Sequence, residues 1–229
     1  MSTTHRQPPA SKPQAPAHPP ANGAEPDFLI EALNAEAEAI RRIADRLAQG
    51  EEGDHWRAAV DLITACRGHV VVCGVGKSGL IGAKISATLS SLGQPSSVVH
   101  PAEAVHGDLG RIGRGDVVML LSYSGETHEV VDLAAILRAD GVPRLGISSN
   151  ADSSLARLCD VHLNLGDVAE ACPLRLAPTA STTAMLAIGD ALALGVERLR
   201  SLGERADLTA GPAIKSKVMI LLSDGEDNS

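Results

Sequence analysis

The feature that most restricts the fold of this chain is an alternation of short apolar runs with helical stretches between residues 69 and 165. Helical stretches follow the first and third runs, and a last helix is expected over about residues 179–200. Strands that alternate with helices form βαβ units. The sequence therefore predicts an α/β fold, with a parallel five-stranded sheet flanked by helices on both faces. The five expected strands lie at 69–73, 96–100, 116–121, 145–148 and 161–165.

The two ends of the chain differ in composition from this central part. Residues 1–26 are rich in Pro, Ala, Ser, Thr and Gln, and such a stretch buries too little apolar surface to offset its chain entropy. Between residues 28 and 47 apolar side chains recur at helical spacing. We therefore expect a disordered tail over 1–26, an α/β domain over 27–200 and an atypical C-terminal tail over 201–229.

Composition and charge exclude several classes of partner. Hydrophobic residues make up 44% of the chain but aromatic residues only 1%, which predicts a core of Ala, Val, Leu and Ile. Scarce aromatics and a net charge of −8 argue against nucleic-acid binding, which requires stacking surfaces or a basic stripe. No apolar run approaches the ~18 residues of a membrane span, and the N-terminus lacks the apolar stretch of a signal peptide. We expect a cytoplasmic protein that binds neither nucleic acid nor membrane.

Two polar, glycine-containing loops follow the first and third predicted strands. They are Gly74–Gly79 and Ser122–Thr127, and each leads into a helix. Ligands of an open parallel sheet bind beyond the carboxyl ends of its strands, where the unpaired N–H groups at a helix start attract anions. The hydroxyls of Ser122, Ser124 and Thr127 add further donors. The two loops therefore predict a phosphate site.

The glycine spacing of the first loop also matches the dinucleotide fingerprint. That fingerprint requires an acidic residue at the end of the next strand, to hold the ribose hydroxyls. Here the next strand ends Val98-Val99-His100, which disfavours NAD. The Gly76-Lys77-Ser78 triplet lacks the glycine spacing of a P-loop. The four cysteines form no C-x-x-C pair, so they indicate neither zinc nor a disulfide, and we expect no cofactor.

Four segments resemble the sugar-phosphate isomerase (SIS) domain of the arabinose-5-phosphate isomerase family. The loop motifs Gly74–Gly79 and Ser122–Glu129 are two of them, and His100–Gly110 and Glu170–Thr183 are the others. The serine-rich loop is shared by SIS domains generally, whereas the other two segments favour this isomerase. The resemblance covers about residues 28–195. It implies a flavodoxin-like three-layer sandwich and a homo-oligomer, expected to be a tetramer.

The resemblance implies interconversion of D-ribulose 5-phosphate and D-arabinose 5-phosphate, a step towards the octulosonate sugar of lipopolysaccharide. A proton moves between C1 and C2 through an enediol, which requires a base and a group that stabilises the oxyanion. Glu129 or Glu170 would shuttle the proton, and Lys77 would steady the oxyanion or the phosphate; the implied catalytic residues are Lys77, Glu129, Glu170 and His106. The implied substrate-binding residues are Gly76, Ser78, Ser122, Ser124, Glu126, Thr127, Ser181 and Thr182.

Some of these side chains also have structural interpretations. Glu129 lies in the first part of a predicted helix, where a solvated carboxylate favours the helix dipole. His106 could be a hydrogen-bond donor within its own tight loop. A zinc site formed by His100, His106 and Asp108 is a further alternative, but the spacing is unspecific and we expect no required metal.

The C-terminal segment departs from the family. Its members normally continue with a Ser-His-Pro-Gly-Gly segment, whose histidine is implicated in catalysis, and many then carry two CBS domains. Here Lys215–Ser229 resembles a fragment of a von Willebrand factor A-type domain, and we expect a junction near Gly189–Leu194. Loss of such a histidine costs about 10²–10⁴-fold in rate. A regulatory module that binds sugar phosphate with weak or no turnover is thus the alternative. A metal-dependent adhesion module is disfavoured because the chain has no Asp-x-Ser-x-Ser loop.

Overall fold

The computed structural model describes residues 24–48, 50–174 and 176–210. In these ranges the chain alternates strands with helices, as the sequence predicts. The strands are β1 Val70–Gly74, β2 Ser96–Val98, β3 Val117–Leu121, β4 Arg144–Ser148 and β5 Val161–Asn164. The helices are α1 Ala24–Leu47, α2 Glu51–Thr64, α3 Lys77–Ser91, α4 Pro101–Val105, α5 His128–Ala139, α6 Ser154–Leu158 and α7 Ala180–Ala210.

The five strands form one parallel sheet in the order β2-β1-β3-β4-β5, which confirms the predicted fold class. This is the flavodoxin-like order, in which the chain reverses its direction of travel between β1 and β3. The loops after these two strands therefore diverge to opposite faces and leave a crevice at their carboxyl ends. Both predicted phosphate loops lie at that crevice.

Helices cover both faces of the sheet and divide the core into two layers. Val70 and Val72 pack with residues of α1, α2, α3 and α7, whereas Val71 and Cys73 pack with residues of α5 and its neighbours. Every residue of β1, β3 and β4 is buried, as expected for strands covered on both faces. None of the described buried hydrophobic residues is aromatic, so Ala, Val, Leu and Ile fill the core as predicted, together with Met and Cys.

Three short elements were not predicted from the sequence. They are α4, α6 and a 3₁₀ turn at Asp108–Arg111, and each has only four or five residues. Helical periodicity needs a longer window to be recognised. None of the described helices has the length and apolar character that a membrane span requires.

Helix α1 begins at Ala24, within the stretch expected to be disordered, and α7 continues to Ala210. The rest of the N-terminal stretch and the segment Lys215–Ser229 lie outside the described residues.

Candidate active site

The turn from β1 into α3 places Lys77 at the start of a helix. Gly76 has φ +58°, a left-handed conformation that glycine adopts without steric cost. A Cβ on Gly74 would lie 2.9 Å from the carbonyl carbon of Ser78, so the strand end and the helix start are in close contact. Lys77 is exposed and Ser78 is half-buried. The glycines thus form a tight turn that directs both side chains to the carboxyl edge of the sheet.

A cavity of about 240 Å³ opens beside this turn. Its walls come from the β1–α3 turn, the loop after β3, the connector between β5 and α7, and the first turns of α7. The structure therefore brings together five of the predicted site residues, from positions far apart in the chain. The full lining is Val75, Lys77, Ser78, Tyr123, Glu170, Pro178, Ser181, Thr182 and Met185. This volume is below the about 300–1,000 Å³ typical of pockets for drug-sized molecules, which suits a small polar ligand.

Two larger cavities lie elsewhere and contain none of the predicted site residues. One, of about 350 Å³, lies between α1 and residues 165–169, where Arg42 is already paired with Glu38. The other, of about 430 Å³, lies between α2 and α7. The smaller cavity is the candidate active site, because the hydroxyl groups, the lysine and the carboxylate converge there.

Glu170 is held at the start of α7 by a set of hydrogen bonds. Its carboxylate accepts the Thr179 N–H at 2.7 Å and the Thr179 hydroxyl at 3.0 Å, and it also accepts from the Ser181 hydroxyl and N–H. Burial raises the pKa of Glu170, but the bonds from Ser181 and Thr179 outweigh it, and the net shift is downward. An ionised carboxylate with this many donors is a weak proton acceptor. Glu170 therefore caps α7 and fixes one wall of the cavity. Ser181, predicted to bind substrate, is hydrogen-bonded to Glu170.

The loop after β3 is closed by its own hydroxyl groups. Ser122 Oγ lies 2.8 Å from Thr127 Oγ1 and accepts the Gly125 N–H at 3.1 Å. The Ser124 hydroxyl accepts the Glu126 N–H at 3.1 Å. The loop leads directly into α5, whose first N–H groups have no partner within the helix. This combination of hydroxyls and free helical N–H groups can bind a phosphate.

Tyr123 connects the serine-rich loop to the cavity. Its hydroxyl accepts the Val168 N–H at 3.0 Å and donates to the Val168 carbonyl at 3.3 Å. Tyr123 also lines the cavity, so the predicted phosphate loop borders the space that contains Lys77 and Glu170. Our sequence reasoning did not single out Tyr123. A signal was present, since this is the single tyrosine of the chain and it follows the most apolar strand.

Other predicted site residues lie outside the cavity wall. The Glu126 carboxylate accepts the Ser154 N–H at 2.8 Å, a bond that lowers its pKa and ties it to α6. Glu129, in the first turn of α5, and His106, just after α4, are both exposed. Their catalytic roles stay predictions. Within the described part of the chain, no three His, Cys, Asp or Glu side chains are grouped so as to hold a metal ion.

Comparison with known proteins finds relatives among the arabinose 5-phosphate isomerases. The chain is 44% identical over 177 residues to the arabinose 5-phosphate isomerase KdsD of Pseudomonas aeruginosa. The aligned region covers 76% of this chain and 53% of that protein. It is 42% identical over 206 residues to KdsD of Escherichia coli, covering 87% of this chain and 62% of the relative. The chain thus spans roughly half to three fifths of the length of these curated relatives.

The fold is shared with the solved structure of a protein that binds arabinose 5-phosphate. An Escherichia coli CFT073 protein in complex with arabinose 5-phosphate superposes with a TM-score of 0.73 at 36% identity, covering 82% of this chain and 97% of that one. The sequence profile of the SIS domain matches residues 63–195, more than half of the chain. The chain therefore belongs to the SIS domain family.

Proposed function

We propose that this chain is an aldose–ketose isomerase that interconverts D-ribulose 5-phosphate and D-arabinose 5-phosphate. The observation that carries the proposal is the convergence of Lys77, Glu170 and Thr182 in one cavity, next to the serine-rich loop. The identity to KdsD proteins and the likeness to a structure in complex with arabinose 5-phosphate support this choice of substrate.

The phosphate of the substrate binds to the Ser122–Thr127 loop and to the first N–H groups of α5, and Ser78 and Thr182 offer hydroxyls to the sugar. Lys77 neutralises the oxyanion that develops as the enediol forms. Glu170, with its lowered pKa, stays ionised and keeps the wall in place rather than taking the proton. Of the two predicted bases this leaves Glu129 for the proton transfer between C1 and C2; it lies outside the wall of the cavity but follows the phosphate loop directly.

The protein acts as a homo-oligomer, with a tetramer as the expected form. Helix α1 carries an apolar stripe in which Phe28, Leu29, Ile30 and Leu33 are exposed, and Leu33 has 69% of its surface accessible. Burying this stripe in contact with another copy removes apolar surface from water. We place the protein in the cytoplasm, where it supplies arabinose 5-phosphate for the octulosonate sugar of lipopolysaccharide.

The test is turnover of D-ribulose 5-phosphate by the purified chain and by two lysine variants on α3. Lys77→Ala removes the oxyanion partner and is expected to lower kcat/KM by about 10²–10³-fold. Lys84→Ala is the matched control, because Lys84 is an exposed residue paired with Asp190 at 2.5 Å. We expect it to change kcat/KM by less than about threefold. Equal activity of wild type and Lys77→Ala would remove the proposed mechanism, and binding without turnover would leave only a sugar-phosphate-binding module.

A further inference from the structure

A chain of side-chain hydrogen bonds runs from the edge strand β5 towards the serine-rich loop. His162 Nε2 lies 2.8 Å from Ser148 Oγ, at the carboxyl end of β4. Ser148 Oγ lies 3.2 Å from Ser153 Oγ, which in turn accepts the Ala156 N–H and caps α6. Ser148 and Ser153 have no accessible surface. Water therefore cannot replace a partner that either hydroxyl loses.

The Ser148 hydroxyl is surrounded by polar groups on every side. Its oxygen lies 3.1 Å from the Asn150 carbonyl oxygen and 3.4 Å from the Asn150 nitrogen, besides its contacts with Ser153 and His162. A hydroxyl offers one proton and two lone pairs, so His162 Nε2 is one of the partners that saturate Ser148. Gly146 pairs with His162 across β4 and β5, and a Cβ on Gly146 would lie 2.8 Å from Cys159 Sγ and 3.4 Å from His162 Cδ2.

The two serines lie directly beneath Gly125 of the phosphate loop. Gly125 has φ +70°, and a Cβ at this position would overlap the Ser153 side chain and lie 3.0 Å from Ser148 Oγ. The Gly125 carbonyl also accepts the Leu155 N–H at 3.0 Å. Helix α6 has only five residues, too few to be stable by itself. The Ser153 cap and the Glu126–Ser154 bond together hold it in position, and Gly125 with it.

We propose that His162 is a positioning residue for phosphate binding. Through its hydrogen bond with Ser148, it keeps the Ser148–Ser153 pair beneath Gly125 and so sets the shape of the Ser122–Thr127 loop. The inference rests on the proposed function of that loop as the phosphate site. His162 is not part of the cavity wall and takes no part in proton transfer.

The experiment measures binding and turnover in three variants of β5. His162→Leu removes the hydrogen bond to Ser148, and His162→Gln keeps an amide that can donate or accept at a similar reach. Val161→Thr is the control, because this half-buried neighbour packs against the layer on the opposite face of the sheet. The Kd for D-arabinose 5-phosphate and the Kd for inorganic phosphate are measured by calorimetry, and kcat and KM are measured with D-ribulose 5-phosphate.

We expect His162→Leu to raise both Kd values and KM by about five- to tenfold, the effect of one net hydrogen bond, with kcat within about twofold. His162→Gln should restore the wild-type values to within about twofold. The inference is overturned if His162→Leu behaves like Val161→Thr, if Gln rescues nothing, or if kcat falls at constant KM. If the wild type binds the sugar phosphate without turnover, only the proposed isomerase activity is refuted, since the Kd comparison still tests the role of His162. If the wild type binds neither ligand, both the proposed function and the role of His162 are refuted.

Discussion

Substitution of Glu170 by Gln tests whether this carboxylate has a structural or a catalytic role. The amide oxygen of Gln can still accept one or two bonds, but its NH₂ group faces the donors of Thr179 and Ser181. The charge that favours the start of α7 is also lost. A charge-assisted bond contributes about 1.5–3 kcal/mol when buried, and an N-cap about 0.5–2 kcal/mol. Because Glu170 is only partly buried, we expect the lower part of this range, a loss of about 1–2 kcal/mol.

Urea unfolding of wild type, Glu170→Gln and Glu129→Gln measures this difference. Glu129 is exposed in the first turn of α5, so its variant should lose no more than about 0.5 kcal/mol while losing most turnover. The pKa of Glu170 is lowered from 4.5, so its stabilisation is complete above pH 4.5 and is lost as the pH falls through the folded-state pKa. The decline in unfolding free energy below pH 4.5 should therefore be shallower in Glu170→Gln. Equal stability of wild type and Glu170→Gln, with equal pH dependence, would refute the capping role.

Arg144→Met should lower the unfolding free energy by about 3 kcal/mol without changing KM. The reason is that the buried guanidinium donates to the carbonyls of Leu158, Leu137 and Val142. A loss below about 1 kcal/mol in urea unfolding would contradict this. Gly125→Ala should raise the Kd for arabinose 5-phosphate at least about tenfold, because of its φ of +70° and the overlap with Ser153; unchanged binding in calorimetry would remove the loop from the site. Leu33→Asp should shift the chain to smaller species in sedimentation, since a charge disfavours burial of the α1 stripe; an unchanged sedimentation coefficient would show that the stripe is not an interface.

The strands could be located from the sequence because three of them are buried on both faces. Val117–Leu121, for example, is a continuous apolar run between polar segments. The glycine turn and the serine-rich loop were also predictable, since each is a local motif that connects a strand to a helix. The short helix α6 was not, although it supports the phosphate loop, because five residues carry no recognisable periodicity.

The long-range hydrogen bonds could not be read from the sequence. Tyr123 and Val168 are 45 positions apart, and Glu126 and Ser154 are 28 apart, so these pairs are defined only once the connections between strands are folded. The same is true of the hydrogen bonds between Glu170 and the start of α7. The catalytic role that the resemblance implies for Glu170 stays a prediction. Sequence motifs thus predicted which loops form the candidate site, and packing determined what each side chain contacts.

The most direct test of the central claim follows D-arabinose 5-phosphate by NMR in the presence of the purified chain. We expect conversion to D-ribulose 5-phosphate until both sugars are at equilibrium, at a rate that Lys84→Ala retains and Lys77→Ala lowers by about 10²–10³-fold. A chain that leaves the sugar phosphate unconverted, or a Lys77→Ala variant as fast as the wild type, would contradict an isomerase site in this cavity.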